Sequence, residues 1–218
     1  MPISQIHPYQ VPDTFPKSCV NWSADPSRSV LLLHDLQRYF LAPFAADCSP
    51  ISDLTFNVTR LLRCASLVGV PIIYTAQPGG MSRAQRGLLA DFWGDGMGAG
   101  SEREIAAAFA PRQEDIVLTK WRYSAFHDTG LDQALARMSR DQLIITGVYA
   151  NTGCLATAVD SFSRDLETFF VHDAVADFTV ADHRQALHYA ATRCARVCGT
   201  AQIEVELQRH ALARPATS

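Results

Sequence analysis

Three apolar runs, each ending at a residue capable of chemistry, constrain this chain more than any other feature. Residues 29–33 lead into His34 and Asp35, residues 116–119 into Lys120, and residues 143–146 into the turn from Gly147 to Gly153. Unbroken Val/Ile/Leu runs of this length, separated by helix-like segments, read as strands of a parallel sheet buried on both faces. In such sheets the ligand crevice lies outside the carboxyl ends of the strands. Asp35, Lys120 and the Gly153 turn are therefore expected to meet, although about 85 and 33 residues separate them along the chain.

The order of elements supports the same architecture. Residues 1–28 read as an irregular lead-in that wraps the domain. Helical stripes are expected over 53–68, 102–109, 131–138, 152–165 and 181–197. They alternate with strands at 29–34, 70–75, 116–119, 142–146 and 168–172, with a last strand or helix beyond. Residues 76–101 form the longest irregular region, rich in glycine. Residues 211–218 read as a frayed tail, leaving 29–210 as a single domain. This β-α alternation predicts a three-layer α/β/α doubly wound fold on a mainly parallel, six-stranded sheet.

Composition removes several classes of function. The formal charge of -3 and the lack of a basic stripe argue against a nucleic-acid partner. No apolar stretch approaches the roughly 20 residues of a membrane helix. The N-terminus lacks the basic-then-apolar pattern of a signal peptide, so a cytoplasmic setting is expected. The six cysteines include no C-x-x-C pair and read as free thiols. Cys194 and Cys198, four apart on an expected helix, read as core packing rather than metal ligands. His183 and His188 are spaced wrongly for a zinc motif. The run from Gly94 to Gly100 follows no strand, so it reads as a flexible loop rather than a nucleotide fingerprint. No metal or cofactor is expected.

At the strand ends, Asp35 could serve as acid, base or metal ligand, or simply cap a turn. Lys120, partly desolvated, could hold an anionic substrate or tune a neighbouring acid; its plain reading is a surface lysine. The Gly147–Gly153 turn lets backbone approach a ligand at a helix N-terminus, where the dipole suits an oxyanion. Cys154 would gain nucleophilicity there. One position on a helix turns a side chain by about 100°, however, so 153 could face the crevice while 154 faces the core.

Several segments together resemble the isochorismatases. They are Leu33-His34-Asp35-Leu36-Gln37-Arg38-Tyr39-Phe40, Tyr74-Thr75-Ala76-Gln77-Pro78-Gly79, Asp91-Phe92-Trp93-Gly94, Lys120-Trp121-Arg122-Tyr123, Thr146-Gly147-Val148-Tyr149-Ala150 and Asp173-Ala174-Val175-Ala176-Asp177-Phe178. The similarity is collinear from about residue 6 to residue 205. It implies a hydrolase fold shared with nicotinamidases, whose triad is Asp, Lys and Cys. Asp35 and Lys120 match the first two, and Gly153 stands where the thiol would be. The implied reaction cleaves isochorismate, or its 2-amino analogue in phenazine synthesis, with Asp35 protonating the vinyl carbon. Such an acid must be protonated at neutral pH, so burial is expected to raise its pKa against the pull of Lys120.

The resemblance further implies that Gln77, Arg86, Trp93, Lys120, Tyr123, Tyr149 and the Gly153 amide bind a dianionic substrate, with Phe40 as an apolar wall. Arg86 and Trp93 fall in the glycine-rich loop, as a lid would. Asn151 departs from the family's usual His and is expected at the substrate. A homodimer and interaction with a separate carrier protein are also implied. Two rival readings remain: a Cys154-dependent amidohydrolase of the nicotinamidase kind, and a disabled scaffold that binds a carrier.

Overall fold

The computed structural model describes residues 3–212; of the expected tail, 213–218 lie outside the described residues. Strands are β1 (Ser29–His34), β2 (Ile72–Ala76), β3 (Ile116–Thr119), β4 (Gln142–Val148), β5 (Glu167–Ala176) and β6 (Arg196–Cys198). Helices are α1 (Arg38–Leu41), α2 (Ile51–Val68), α3 (Arg83–Arg86), α4 (Leu89–Trp93), α5 (Leu131–Arg137), α6 (Leu155–Phe162), α7 (Val180–Arg193) and α8 (Thr200–Leu212). The six strands form one parallel sheet in the order β3-β2-β1-β4-β5-β6. The expected architecture is the one observed.

Strand alternation explains the layers. Leu31 and Leu33 of β1, Ile144 of β4 and Phe169 of β5 point to one face, where Leu54, Val58 and Leu61 of α2 and Ile203 and Leu207 of α8 cover them. Val30, Leu32, Leu143, Ile145 and Phe170 point to the other, under Leu131 and Leu135 of α5, Ala158 of α6 and Leu187 of α7. Successive side chains on a strand face opposite ways, so a strand clad on both sides must be apolar at every position. Edge strand β3 is different: Val117 is half exposed, so burial on both faces fails there.

Other boundaries moved for tertiary reasons. Residues 102–109 are not one helix but two 3₁₀ turns, Ser101–Arg103 and Ala107–Phe109. Between them the backbone is drawn out against the segment after β1: Arg38 N–H donates to Glu104 O and Ala106 N–H to Leu36 O, each at 2.9 Å. The helix expected over 181–197 stops at Arg193, because Arg196 begins β6, where Val197 pairs with Phe170. Cys194 and Cys198 therefore share no helix; both are buried. The strand expected over 168–172 runs to Ala176, with a register shift against β4. The expected tail begins too early, since α8 continues to Leu212.

Candidate active site

Asp35 follows β1 with a φ of 52°, a left-handed conformation that Asp tolerates better than most residues. It is 4% exposed, and Lys120 is 1% exposed. Lys120 follows β3, its N–H bonded to Ala76 O at 2.9 Å. Its Nζ lies 2.8 Å from Asp35 Oδ2 and donates to Arg122 O at 2.7 Å. Thr75, in β2, donates to Asp35 Oδ1 at 2.7 Å and accepts from Asp35 N–H at 3.2 Å. Gln77 Nε2 donates to Oδ2 at 3.3 Å. The strand-end rule thus brings the acid and the cation into contact.

The charge state differs from expectation. Burial, the largest single influence, raises the Asp35 pKa, but the Lys120 ammonium, His34 and the hydrogen bonds from Lys120 and Thr75 together hold it below its ordinary value. In the free site Asp35 is a carboxylate paired to Lys120, not the neutral acid the chemistry calls for. Opposite charge at hydrogen-bond distance outweighs desolvation here.

The pocket at these strand ends is small, about 60 Å³, and partly open to solvent. Asp35, Phe40, Gln77, Arg86, Trp93, Lys120, Tyr123, Tyr149 and Gly153 all line it. Arg86 arrives on α3, which is held by a capping box between Ser82 and Gln85. Its Nε donates to Gly94 O at 3.1 Å. The guanidinium lies so close to Gly96 that a Cβ there would meet it at 2.7 Å. Trp93 Nε1 donates to Tyr123 Oη at 2.7 Å. Tyr149 directs its hydroxyl away, donating to Phe40 O at 2.7 Å. It therefore offers a ring, stacked on Phe178 at 4.1 Å, rather than the hydrogen bond expected of it.

Asn151 is a correction of place. It lies outside this pocket, on a neighbouring groove with Leu155 and Tyr189, because its backbone N–H is held by Asp177 Oδ2. Residues 150–154 form a π-helical turn ahead of α6, whose regular turns begin only at Leu155. The helix expected from 152 is shifted accordingly. Gly153 faces the pocket, while Cys154 is fully buried in the core beneath the sheet. Burial first, then the Asp35 and Asp177 charges, push its thiol pKa well up. That removes the thiol reading of Cys154, since the thiolate is the nucleophile.

Several contributors escaped the sequence reading. Buried Gln37 ties together the two ends of the long glycine-rich loop, donating to Gln77 O at 2.8 Å and Arg103 O at 2.6 Å and accepting from Gln77 N–H at 2.8 Å. Thr75 and Asp177 sit at the ends of β2 and β5, so the rule applied to Asp35 would have found them. His34 packs its ring against Gly153, a contact without a local signal. Among the described residues, no group of three His, Cys, Asp or Glu side chains is arranged to hold a metal ion.

Comparisons with known proteins bear on the family and the fold. The family profile described as "Isochorismatase domain" matches residues 29–202. A Bacillus subtilis protein named "Isochorismatase" is 47% identical over 211 residues, spanning 95% of this chain and 68% of its own length. "Phenazine biosynthesis protein PhzD1" of Pseudomonas aeruginosa is 48% identical over 204 residues, 92% of this chain and 98% of that protein. Among solved structures, a cysteine hydrolase from Pseudomonas syringae pv. phaseolicola superposes with a TM-score of 0.81 at 23% identity, covering 89% of this chain and 98% of that one.

Proposed function

Because this chain belongs to the isochorismatase family, we propose that it hydrolyses the enol ether of isochorismate to pyruvate and 2,3-dihydro-2,3-dihydroxybenzoate. The observation that carries this reading is the buried Asp35–Lys120 pair beside Gly153. An acid and a cation are present at the reacting centre, and the position a thiol nucleophile would take has no side chain. An enol ether needs no nucleophile of the protein's own. Asp35 delivers a proton to the terminal methylene, the resulting oxocarbenium ion takes up water, and the hemiketal splits into pyruvate and the ring alcohol. The water's proton restores Asp35.

Asp35 must acquire its proton before this step. The substrate carries two carboxylates, which enter beside Lys120 and Arg86. They draw the ammonium away from Asp35 and add negative charge nearby, and both effects raise the Asp35 pKa. Loading of the acid is thus tied to occupancy. Phe178, Tyr149 and Trp93 stack along one wall, an apolar surface that suits the ring and keeps bulk water from the cation. A homodimer and a cytoplasmic setting, both implied by the family, complete the reading.

A coupled assay for pyruvate tests it. Wild-type protein releases pyruvate from isochorismate; Asp35→Ala loses about 10²–10⁴-fold in rate, while Cys154→Ala retains activity in whatever fraction remains folded. Retention of most activity in Asp35→Ala would remove the acid from the mechanism. The 2-amino analogue is the second reading, supported by the equally similar phenazine protein. Running both ethers side by side decides between them by kcat/KM.

A further inference from the structure

We propose that His34 fixes the reaction class of this site, its imidazole filling the volume that a thiol nucleophile at position 153 would need. A Cβ built on Gly153 would lie 2.2 Å from His34 Cε1, 2.9 Å from Nε2 and 3.1 Å from Nδ1. An overlap of that depth is tolerable only if the ring can swing aside, and this ring is pinned. Nδ1 lies 2.9 Å from Val148 O, close enough for the one N–H of a neutral ring to hold it to β4, and Nε2 packs 3.3 Å from Tyr123 O in the loop after Lys120. Its backbone is fixed as well, since a Cβ on Gly147 would meet His34 O at 2.2 Å. The side chain is fully buried, which leaves no solvent-side rotamer.

The ring also reaches both the turn and the acid. Its Nδ1 is 3.8 Å from Asp35 Oδ2 and would lie 3.1 Å from a Cβ at position 153. The three atoms nearest to a Cβ at 153 all belong to the imidazole, none to the carboxylate. Burial first, and then the Lys120 charge, hold the His34 pKa below its ordinary value in spite of Asp35. The ring is therefore neutral and leaves Lys120 as the cation beside the acid. Asp35 and Lys120 are groups able to activate a thiol; with His34 in place, the site has no room for one. His34 is a specificity-determining residue that excludes covalent catalysis.

The test uses full-length Gly153→Cys, His34→Ala and the double variant, with cysteine alkylation by iodoacetamide mapped residue by residue and thiolate absorbance followed against pH. Gly153→Cys is expected to unfold about 5 °C or more below wild type, with its new thiol unreactive. In the double variant the penalty relative to His34→Ala largely disappears. Its thiol reacts at least about tenfold faster at pH 7 and titrates below the ordinary cysteine value of about 8.5. A purely structural His34 would restore folding without that thiolate signature.

Three results would overturn the inference: Gly153→Cys folding as wild type with a reactive thiolate, a folded double variant whose thiol stays inert, or a double variant that fails to fold where His34→Ala succeeds. If Gly153→Cys alone cannot fold and the double variant can, the inference stands. It rests on the site proposed above, but no readout uses isochorismate. A chain inactive on that ether would leave this test intact.

Discussion

Thr75 holds the proposed acid at both its backbone and its carboxylate, through Oγ1 contacts of 3.2 and 2.7 Å. Its hydroxyl stabilises the charged form of Asp35, so replacing it should let the pKa rise. In Thr75→Val, nearly isosteric, the basic limb of the kcat/KM profile is expected to move to higher pH, since more of the acid then carries its proton near neutrality. An unmoved limb, or a move to lower pH, would show that Asp35 does not set it. At this scale the sequence reading was uneven. Asp35 and Lys120 were visible because a charged residue directly after an apolar run has few structural explanations. The partners that decide their charge were not, since Thr75 and His34 matter through contacts between strands distant along the chain. The expectation of a raised Asp35 pKa failed for the same reason: burial can be read from a sequence, but a 2.8 Å ion pair cannot.

Short elements of the long loop carry the pocket-lining Arg86 and Trp93. Ser82, Gln85 and the short helix α3 form a capping box in which Ser82 Oγ accepts from Gln85 N–H at 3.3 Å and Gln85 Oε1 accepts from Ser82 N–H at 2.9 Å. That box was legible as Ser-x-x-Gln, although the region was read as irregular. Losing an N-cap costs about 1 kcal/mol. In a four-residue helix on the surface, that loss loosens Arg86 without unfolding the domain. Ser82→Ala should therefore raise KM about three- to tenfold, leaving the unfolding midpoint near wild type; an unchanged KM would separate Arg86 from the cap. Long strands and α2 were legible from periodicity alone, because their burial on the sheet is one continuous face. The π-helical turn at Ala150–Cys154 was not, since Asp177, just past the end of β5, holds it.

Across the whole molecule, two buried groups oppose each other in their effect on stability. Burial raises Asp177 to about 6 from an ordinary 3.8 and lowers His183 to about 4 from 6.5. Between 3.8 and 6 the folded protein keeps a proton on Asp177 that the unfolded chain releases, so stability falls as pH rises through that window. Between 4 and 6.5 the unfolded chain binds a proton that folded His183 refuses, so stability falls as pH drops. Each displacement is worth roughly 3 kcal/mol, and the two slopes cancel over their common range. Asp177→Asn should expose the His183 slope, with stability climbing from pH 4 to 6.5, while His183→Gln should expose the reverse. Urea unfolding at intervals across that range measures both. Equal slopes in wild type and both variants would mean that neither group is displaced. On the ribosome, β1 emerges early and can pair with β2, but its other flank stays open until β4 arrives more than a hundred residues later. A nascent chain released to that point already holds the acid and the cation, yet no glycine turn to face them. Synthesis must pass Gly153 before the proposed site is complete.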